Sequence, residues 1–356
     1  MSLRDFVQAM PKAELHVHLE GTMQPATLLR LARRRGIDLP AHDEAGLREW
    51  FRFRDFAHFV EVYLTCSKCL RDPEDFQTLV DDFLAGQARQ NVRWSEVHFT
   101  IETHVWNGAN GREVLQAVEE AIADGERRHG VGMRMIFDII RDVGPRRGEH
   151  TVEMAIAAHR RGTVLALGLT GFEDSQPNEP FRDHFREAAK AGLHCVAHAG
   201  EHGGAQSIRS VIEVCGAERI GHGVRAVEDP ALVAELAAKA VPLEVCPSSN
   251  ICLGVFPELR QHSFDRLYRA GCAVTVNSDD PPMFDTTLND EYQRLEATFG
   301  YAPEELAGFG LAGLRHSFLP DADKARLEAE FRREYAALGE RYVARAIEPR
   351  LGVLTS

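Results

Sequence analysis

The sequence is short of positive charge. Its 41 Lys and Arg stand against 54 Asp and Glu, a formal net charge of −13. A protein that grips a nucleic-acid backbone needs clustered cations, so no nucleic-acid partner is expected. The basic triplet of the first half, Arg33–Arg35, falls in a helical pattern and reads as a solvated face. Long apolar runs are also missing. None reaches the length of a membrane span, and no apolar segment follows Met1 as a secretory leader requires. Cysteine is scarce: seven residues, odd in number and scattered, as in a reduced cytoplasmic protein. Cys66 and Cys69 form a Cys-x-x-Cys pair in a helix-like stretch. No second pair at ligand spacing accompanies it, so redox or zinc chemistry is not expected there.

What is present is apolar residue enough for a large core, 44% of 356 positions. That length suits an α/β barrel with insertions. A short helix, Ser2–Met10, stops at Pro11, and a strand follows over Ala13–His18. Residues 22–90 carry helical periodicity throughout, too long for one crossover, and read as a helical insertion after the first strand. Its aromatic cluster, Trp50, Phe51, Phe53, Phe56 and Phe59, suits a core, with a lid over a flat apolar substrate as the competing use. The chain then alternates. Strands are expected at Val92–Glu102, Gly132–Arg141, Val164–Leu169, Leu193–Ala197, Arg219–Gly221, Pro242–Cys246 and Cys272–Asn277. Helices lie between them, among them Gly111–His129, Thr151–Arg161 and Ala205–Cys215. Eight strands in β-then-α order predict a parallel sheet closed as a (β/α)8 TIM barrel. Amphipathic helix fills Thr287–Leu351. No repeat or linker interrupts the chain, so residues 1–356 are expected to form one domain.

The stretch Ala13–Gly21 holds His16 and His18. On a strand, side chains at i and i+2 share a face, so both imidazoles can reach one metal ion. Alone, such a pair is more often two solvated histidines. Four further clusters change the balance. The expected strands run into His198-Ala-Gly-Glu201, His222-Gly223, Pro247-Ser-Ser-Asn250 and Ser278-Asp279-Asp280-Pro281. In a barrel of this kind chemistry gathers at the C-terminal strand ends. Three His and one Asp suit zinc, and water on zinc has its pKa lowered to about 7. Glu201 follows His198 by three residues, and His222 and the second Asp of the pair supply further proton partners.

As a set, His16-x-His18-x-Glu20-Gly, His198-Ala-Gly-Glu201, Gly221-His222-Gly223, Cys246-Pro-x-Ser-Asn250 and Ser278-Asp279-Asp280-Pro281 resemble the adenosine deaminase family of zinc amidohydrolases. The motifs keep the family's order over residues 11–285. The resemblance implies a hydrolase of cyclic amidine C–N bonds that turns a 6-aminopurine nucleoside into the 6-oxopurine and ammonia. It implies one Zn2+ per chain on His16, His18, His198 and Asp279. Glu201 would protonate the ring nitrogen beside the reacting carbon. His222 would help deprotonate the water that the metal activates. His18, Glu20, Gly171 and Asp280 would contact the substrate, Asp280 on the imidazole side of the purine and Gly171 through its backbone.

Two departures bear on the substrate. Adenosine-specific members carry Asp where this chain has Glu20, and that Asp holds the 5′-hydroxyl. Glu is commoner in relatives acting on adenine or on 5′-modified adenosines such as 6-aminodeoxyfutalosine. Adenine-type members carry an Asp-Ser-Ser-Glu-like run where this chain reads Gly168-Leu-Thr-Gly-Phe-Glu173, closer to the nucleoside branch. The expected order is a 5′-modified adenosine first, adenosine next and adenine last. Glu20, longer than Asp, is expected to crowd the 5′-hydroxyl or to turn aside. Adenine deaminase is the alternative, and a catalytically silent binding protein of the same fold a distant one. A two-metal centre would need a bridging group after the fourth strand, where only Glu173 is near. The His-x-Glu…Pro-Cys-x-x-Cys signature of nucleic-acid deaminases is absent.

Overall fold

The computed structural model describes residues 2–53 and 56–351. Eight strands form one sheet: β1 (Lys12–His18), β2 (Val92–Phe99), β3 (Gly132–Ile140), β4 (Val164–Thr170), β5 (His194–Ala199), β6 (Arg219–His222), β7 (Leu243–Val245) and β8 (Val274–Val276). Each pairs in parallel with the next in sequence. Most positions of β3 and β4 are buried, as expected where helices cover the outside and side chains fill the inside. The fold is a (β/α)8 barrel.

The seam between β8 and β1 closes just beyond the last strand. Asp279 bridges to Val17. The His18 N–H donates to the Asp279 carbonyl at 2.9 Å, and the Asp279 N–H donates to the His16 carbonyl at 3.1 Å. Below this, Asn277 Oδ1 accepts the N–H groups of Leu15 and His16 at 2.9 and 3.1 Å.

Among the described residues the 22–90 insertion is four helices, Pro25–Arg35, Glu44–Phe51, Phe56–Cys69 and Pro73–Arg89. The aromatic cluster divides between the two expected uses. Phe51 is buried in the core, whereas Phe56 and Phe59 line a cavity at the C-terminal strand ends. Cys66 and Cys69 are buried. Burial raises both thiols, Cys69 to about 11, which keeps them protonated and unsuited to metal or redox work. After the barrel, Leu288–Phe299, Pro303–Arg315 and Asp321–Leu351 are helical. Leu311, Leu314 and Phe331 from the last two pack on Ala13, Leu15 and Trp94 near the starts of β1 and β2.

Two expected boundaries move for visible reasons. β2 stops at Phe99 rather than Glu102 because the Thr100 N–H turns to the Glu20 carboxylate at 3.0 Å, and Ile101–Trp106 becomes a helix. The helix expected from Thr151 begins at Pro145, where proline's fixed φ and missing N–H suit a first turn.

Gly308 and Gly313 test the packing of Pro303–Arg315 on β1. A Cβ at Gly313 would stand 2.6 Å from the Ala13 carbonyl oxygen, while one at Gly308 meets nothing within 4 Å. Alanine gains about 0.5–1 kcal/mol over glycine within a helix, and overpacking costs about 1–3 kcal/mol. Gly308→Ala should raise the unfolding free energy by about 0.5–1 kcal/mol, and Gly313→Ala should lower it by about 1–2 kcal/mol. Denaturant midpoints moving in the same direction would show that this helix does not press on β1.

Candidate active site

The strand ends bring the expected residues together. His16 and His18 come from β1, His198 from β5 and His222 from the end of β6. Asp279 follows β8 in a left-handed conformation, φ 63°, and His222 has φ 64°. Asp and His tolerate that region better than most residues. His18 Nε2 lies 3.2 Å from His198 Nε2 and 3.4 Å from Asp279 Oδ1, and His16 Nε2 lies 3.6 Å from the same oxygen. Ligands about 2.0–2.1 Å from a tetrahedral zinc stand about 3.3–3.4 Å from one another. The spacing fits. Gly221 is required beside them, because a Cβ there would meet the His16 ring at 2.9 Å and the His198 backbone at 3.2 Å.

The outer nitrogens orient the inner ones. His16 Nδ1 pairs with Glu244 Oε2 at 2.9 Å, and His198 Nδ1 with the Leu169 carbonyl at 3.1 Å. Each partner is an acceptor, so each Nδ1 carries a ring proton and Nε2 is the atom turned to the site, where a cation would take the place of any second proton. His16 Nε2 is buried without a hydrogen bond, a cost that a bound ion removes. Behind Glu244 runs a buried ionic chain. Glu244 Oε1 pairs with Arg219 Nε at 2.6 Å, and Arg219 Nη1 with Glu96 Oε2 at 2.5 Å.

The field at the centre favours positive charge. Burial alone would lower the His16 pKa, yet Asp279 and Glu244 outweigh it and carry it to about 10. Burial works to raise the Asp279 carboxyl, but His16, His222 and His18 hold it far below its usual range. His18 is lowered to about 4, mainly by burial, and His198 falls well below its ordinary value for the same reason. Three ring nitrogens and a carboxylate in such a field suit a divalent cation.

Glu201, His222, His18, His198, Asp279, Asp280 and Gly171 all line one cavity of about 590 Å³. Glu201 Oε1 is 3.7 Å from His222 Nε2. Asp280 Oδ1 is buried without a hydrogen bond. Burial, then the Asp279 charge, raises the Asp280 carboxyl well above its ordinary value, which favours its protonated, donating form. Gly171 has φ 94°, and a Cβ there would run into Asp142. Glu20 differs from the others, because it does not border the cavity. Its Oε1 accepts from the Thr100 N–H at 3.0 Å, from Thr100 Oγ1 at 2.6 Å and from His104 Nε2 at 3.1 Å. All three donors hold Oε1, Oε2 is buried without a hydrogen bond, and Thr100 stands at the wall. Glu173 is likewise engaged rather than bridging. Its carboxylate accepts the backbone N–H groups of Gly200, Glu201 and His202 at 2.7–2.8 Å and so holds the loop that presents Glu201.

Sequence reasoning passed over Glu244, Arg219, His98 and Asp138. His98 Nδ1 lies 3.0 Å from both Asp138 oxygens, and its ring is 4.6 Å from His16. The available signal was an ionisable residue alone in an apolar strand, as in Leu243-Glu-Val and Val97-His-Phe. Such a residue is rarely buried without a partner.

The barrel and the residues at its C-terminal face define a hydrolase class with a metal-competent centre. The adenosine deaminase family profile matches residues 11–333. An adenine deaminase of Vibrio parahaemolyticus is 37% identical over 339 residues, covering 95% of this chain and 98% of its own length. An aminodeoxyfutalosine deaminase of Streptomyces avermitilis is 39% identical over 329 residues, covering 92% of each chain. Among solved structures, adenine deaminase from Arthrobacter aurescens superposes with a TM-score of 0.87 at 34% identity, over 91% of this chain and 99% of its own. An amidohydrolase from Burkholderia ambifaria with bound Zn gives 0.88 at 25% identity, over 96% of this chain and 94% of its own. The chain belongs to the adenosine deaminase family. It is a hydrolase acting on C–N bonds, a deaminase, which sets aside the silent binding protein.

Glu173 supplies a test of how the Glu201 loop is held. Burial pushes its carboxyl up, but the hydrogen bonds from Ser207 and the loop amides outweigh it and leave the pKa below 4.5. A lowered folded-state pKa adds stability that is complete above the unfolded value and lost as pH falls through the folded one. Urea midpoints of the parent should therefore fall on acidification below about pH 4.5, and Glu173→Gln should flatten that decline. At pH 7 the variant should be less stable by about 1–3 kcal/mol. Parallel acid limbs in the two proteins would remove Glu173 from this role.

Proposed function

We propose that this chain is a zinc-dependent hydrolytic deaminase that replaces the 6-amino group of an adenosine carrying a 5′ extension, 6-aminodeoxyfutalosine being the model compound. His16, His18, His198 and Asp279 hold one zinc per chain. A cation there supplies Lewis-acid activation of water near neutral pH. The remaining work falls to side chains. Glu201 gives a proton to the ring nitrogen beside C6, water adds to that less electron-rich carbon, and of the two water protons one returns to Glu201 and the other goes to the departing amine, which leaves as ammonia. His222 stands beside the entering oxygen. Protonated Asp280 donates to the imidazole side of the purine, and Gly171 brings backbone against the ring.

One observation carries the substrate assignment. Leu64, Trp106 and Phe172 are the exposed large apolar side chains among the described residues, at 43%, 37% and 36%. All three line the same cavity. A bare base seated at the catalytic residues would leave this apolar mouth wet, whereas a nucleoside extended at its 5′ end covers it. Phe56 and Phe59 continue the apolar wall, and Lys68 borders it, which suits an extension that ends in an acid. Adenine deaminase is the second reading, favoured by a near-equal similarity to enzymes of that name.

Three measurements test the proposal. Purified protein should hold about one zinc per chain by elemental analysis, and His16→Ala should lose most of it. Glu201→Gln should keep the zinc and lose at least ~10²-fold in kcat; a variant within about tenfold of the parent would take Glu201 out of proton transfer. Steady-state rates on adenine, adenosine and 6-aminodeoxyfutalosine should rank in that rising order. Burying one large apolar group is worth ~1.5–3 kcal/mol, so the extended nucleoside should lead adenosine by about tenfold or more in kcat/KM. Trp106→Ala with Phe172→Ala should shrink that lead. Adenine as the best substrate would decide for the second reading.

A further inference from the structure

Asn250 lies in the short helix Pro247–Cys252 after β7 and is completely buried. Its side chain joins two histidines. Oδ1 is 3.1 Å from His262 Nε2. Nδ2 is 3.3 Å from His222 Nδ1 and 3.5 Å from Glu201 Oε1. At the far end, the Phe264 backbone N–H points at His262 Nδ1 at 3.0 Å.

The direction of every proton in this row follows from that last contact. A backbone N–H can only donate, so His262 Nδ1 accepts. A ring whose Nδ1 accepts is neutral, in keeping with the burial that lowers the His262 pKa to about 3. Its single ring proton is then on Nε2 and goes to Asn250 Oδ1. This decides which end of the Asn250 amide is which, an assignment that side-chain shape alone leaves open. The amide NH2 faces His222, whose Nδ1 accepts. With Nδ1 accepting, the His222 ring proton is on Nε2, the nitrogen turned to Glu201 Oε1 at 3.7 Å and Asp279 Oδ2 at 3.9 Å.

We infer that Asn250 and His262 are positioning residues that lock His222 in its Nε2–H tautomer, making it a hydrogen-bond donor to the entering oxygen and keeping it out of the metal's ligand set. Distance does not make that distinction, because His16, His198 and His222 all have ring nitrogens close enough to share one ion. Hydrogen-bond polarity does. The outer nitrogens of His16 and His198 face acceptors, Glu244 and the Leu169 carbonyl, whereas that of His222 faces a donor. The inference rests on the deaminase reading of this site and sharpens one part of it. A ring that accepts at Nδ1 and carries its proton at Nε2 donates to the attacking oxygen and does not take its proton there.

Ring 15N spectra of histidine-labelled protein, recorded with and without added zinc, read the tautomer directly, and a His222→Gln variant identifies the signal. The expected result is His222 protonated at Nε2 and bare at Nδ1 in both states. Asn250→Asp places an acceptor opposite Nδ1 and should move the proton to Nδ1 or leave the ring doubly protonated, with kcat down ~10²–10³-fold, the usual loss for one transition-state donor, and KM changed far less. His262→Gln can still donate to Asn250 and should recover most of what His262→Leu loses. A parent His222 protonated at Nδ1 overturns the inference, as does an unchanged ring pattern in Asn250→Asp. An altered pattern with unchanged kcat overturns the donor role. The parent spectrum needs neither a folded variant nor turnover. Failure of the deaminase reading shows instead as no ammonia from any 6-aminopurine, with the spectrum unaffected.

Discussion

The backbone pairing of β1 with the turn after β8 is the constraint on which the rest depends. A parallel barrel has no free edge only if its last strand meets its first. Here that meeting falls on Asp279, whose N–H and carbonyl bond to His16 and His18. The same two hydrogen bonds set the separation of the Asp279 carboxylate from the two imidazoles. Closure of the fold and assembly of the candidate cation site are thus one event. The left-handed backbone at Asp279 is a local cost that this double pairing offsets.

Closure also shuts charge inside. Arg219, Glu96 and Glu244 are all buried, and desolvating such groups is expensive unless each is paired. The row Glu96–Arg219–Glu244–His16 meets that condition and ends at the candidate metal position. Phe318 lies over the Arg219 guanidinium at 3.8 Å, and its N–H donates to Glu96. A segment between the last two helices therefore seals the far end of the row. Removing a single member would leave its neighbour in the row short of one charged partner in a low-dielectric interior.

Above the strand ends the chemistry changes character. Polar groups converge at the floor of the cavity, and apolar side chains from the insertion and from the β2 and β4 loops form its mouth. Trp106 is held in place by Glu102 at 2.8 Å and by Arg147 over its ring at 4.0 Å. An exposed apolar group fixed in this way is a ready contact for a ligand. The floor is set by the barrel and the mouth by its loops, so family membership and substrate choice draw on different residues.

Much of this was legible in the sequence because it is local. Period-two and period-3.6 patterns mark strands and helices, and in Gly111–His129 the expected helix and the observed one coincide. His16-x-His18 on a strand puts both rings on one face by dihedral geometry alone. His198, His222 and Asp279 were placed by the rule that chemistry gathers at C-terminal strand ends. Other features were decided only by tertiary structure. Glu20 reads as a free carboxylate in sequence, and the fold surrounds it with Thr100 and His104. Glu244 and Arg219 read as strand residues and become the support of His16. Asn250 reads as part of a motif, and its amide is oriented only by His262 and the Phe264 N–H. Sequence spacing sets which way a side chain leaves its own strand or helix. Which groups meet it there depends on barrel closure, which brings together residues more than two hundred positions apart, as Asn277 with Leu15, and no local pattern records that partner.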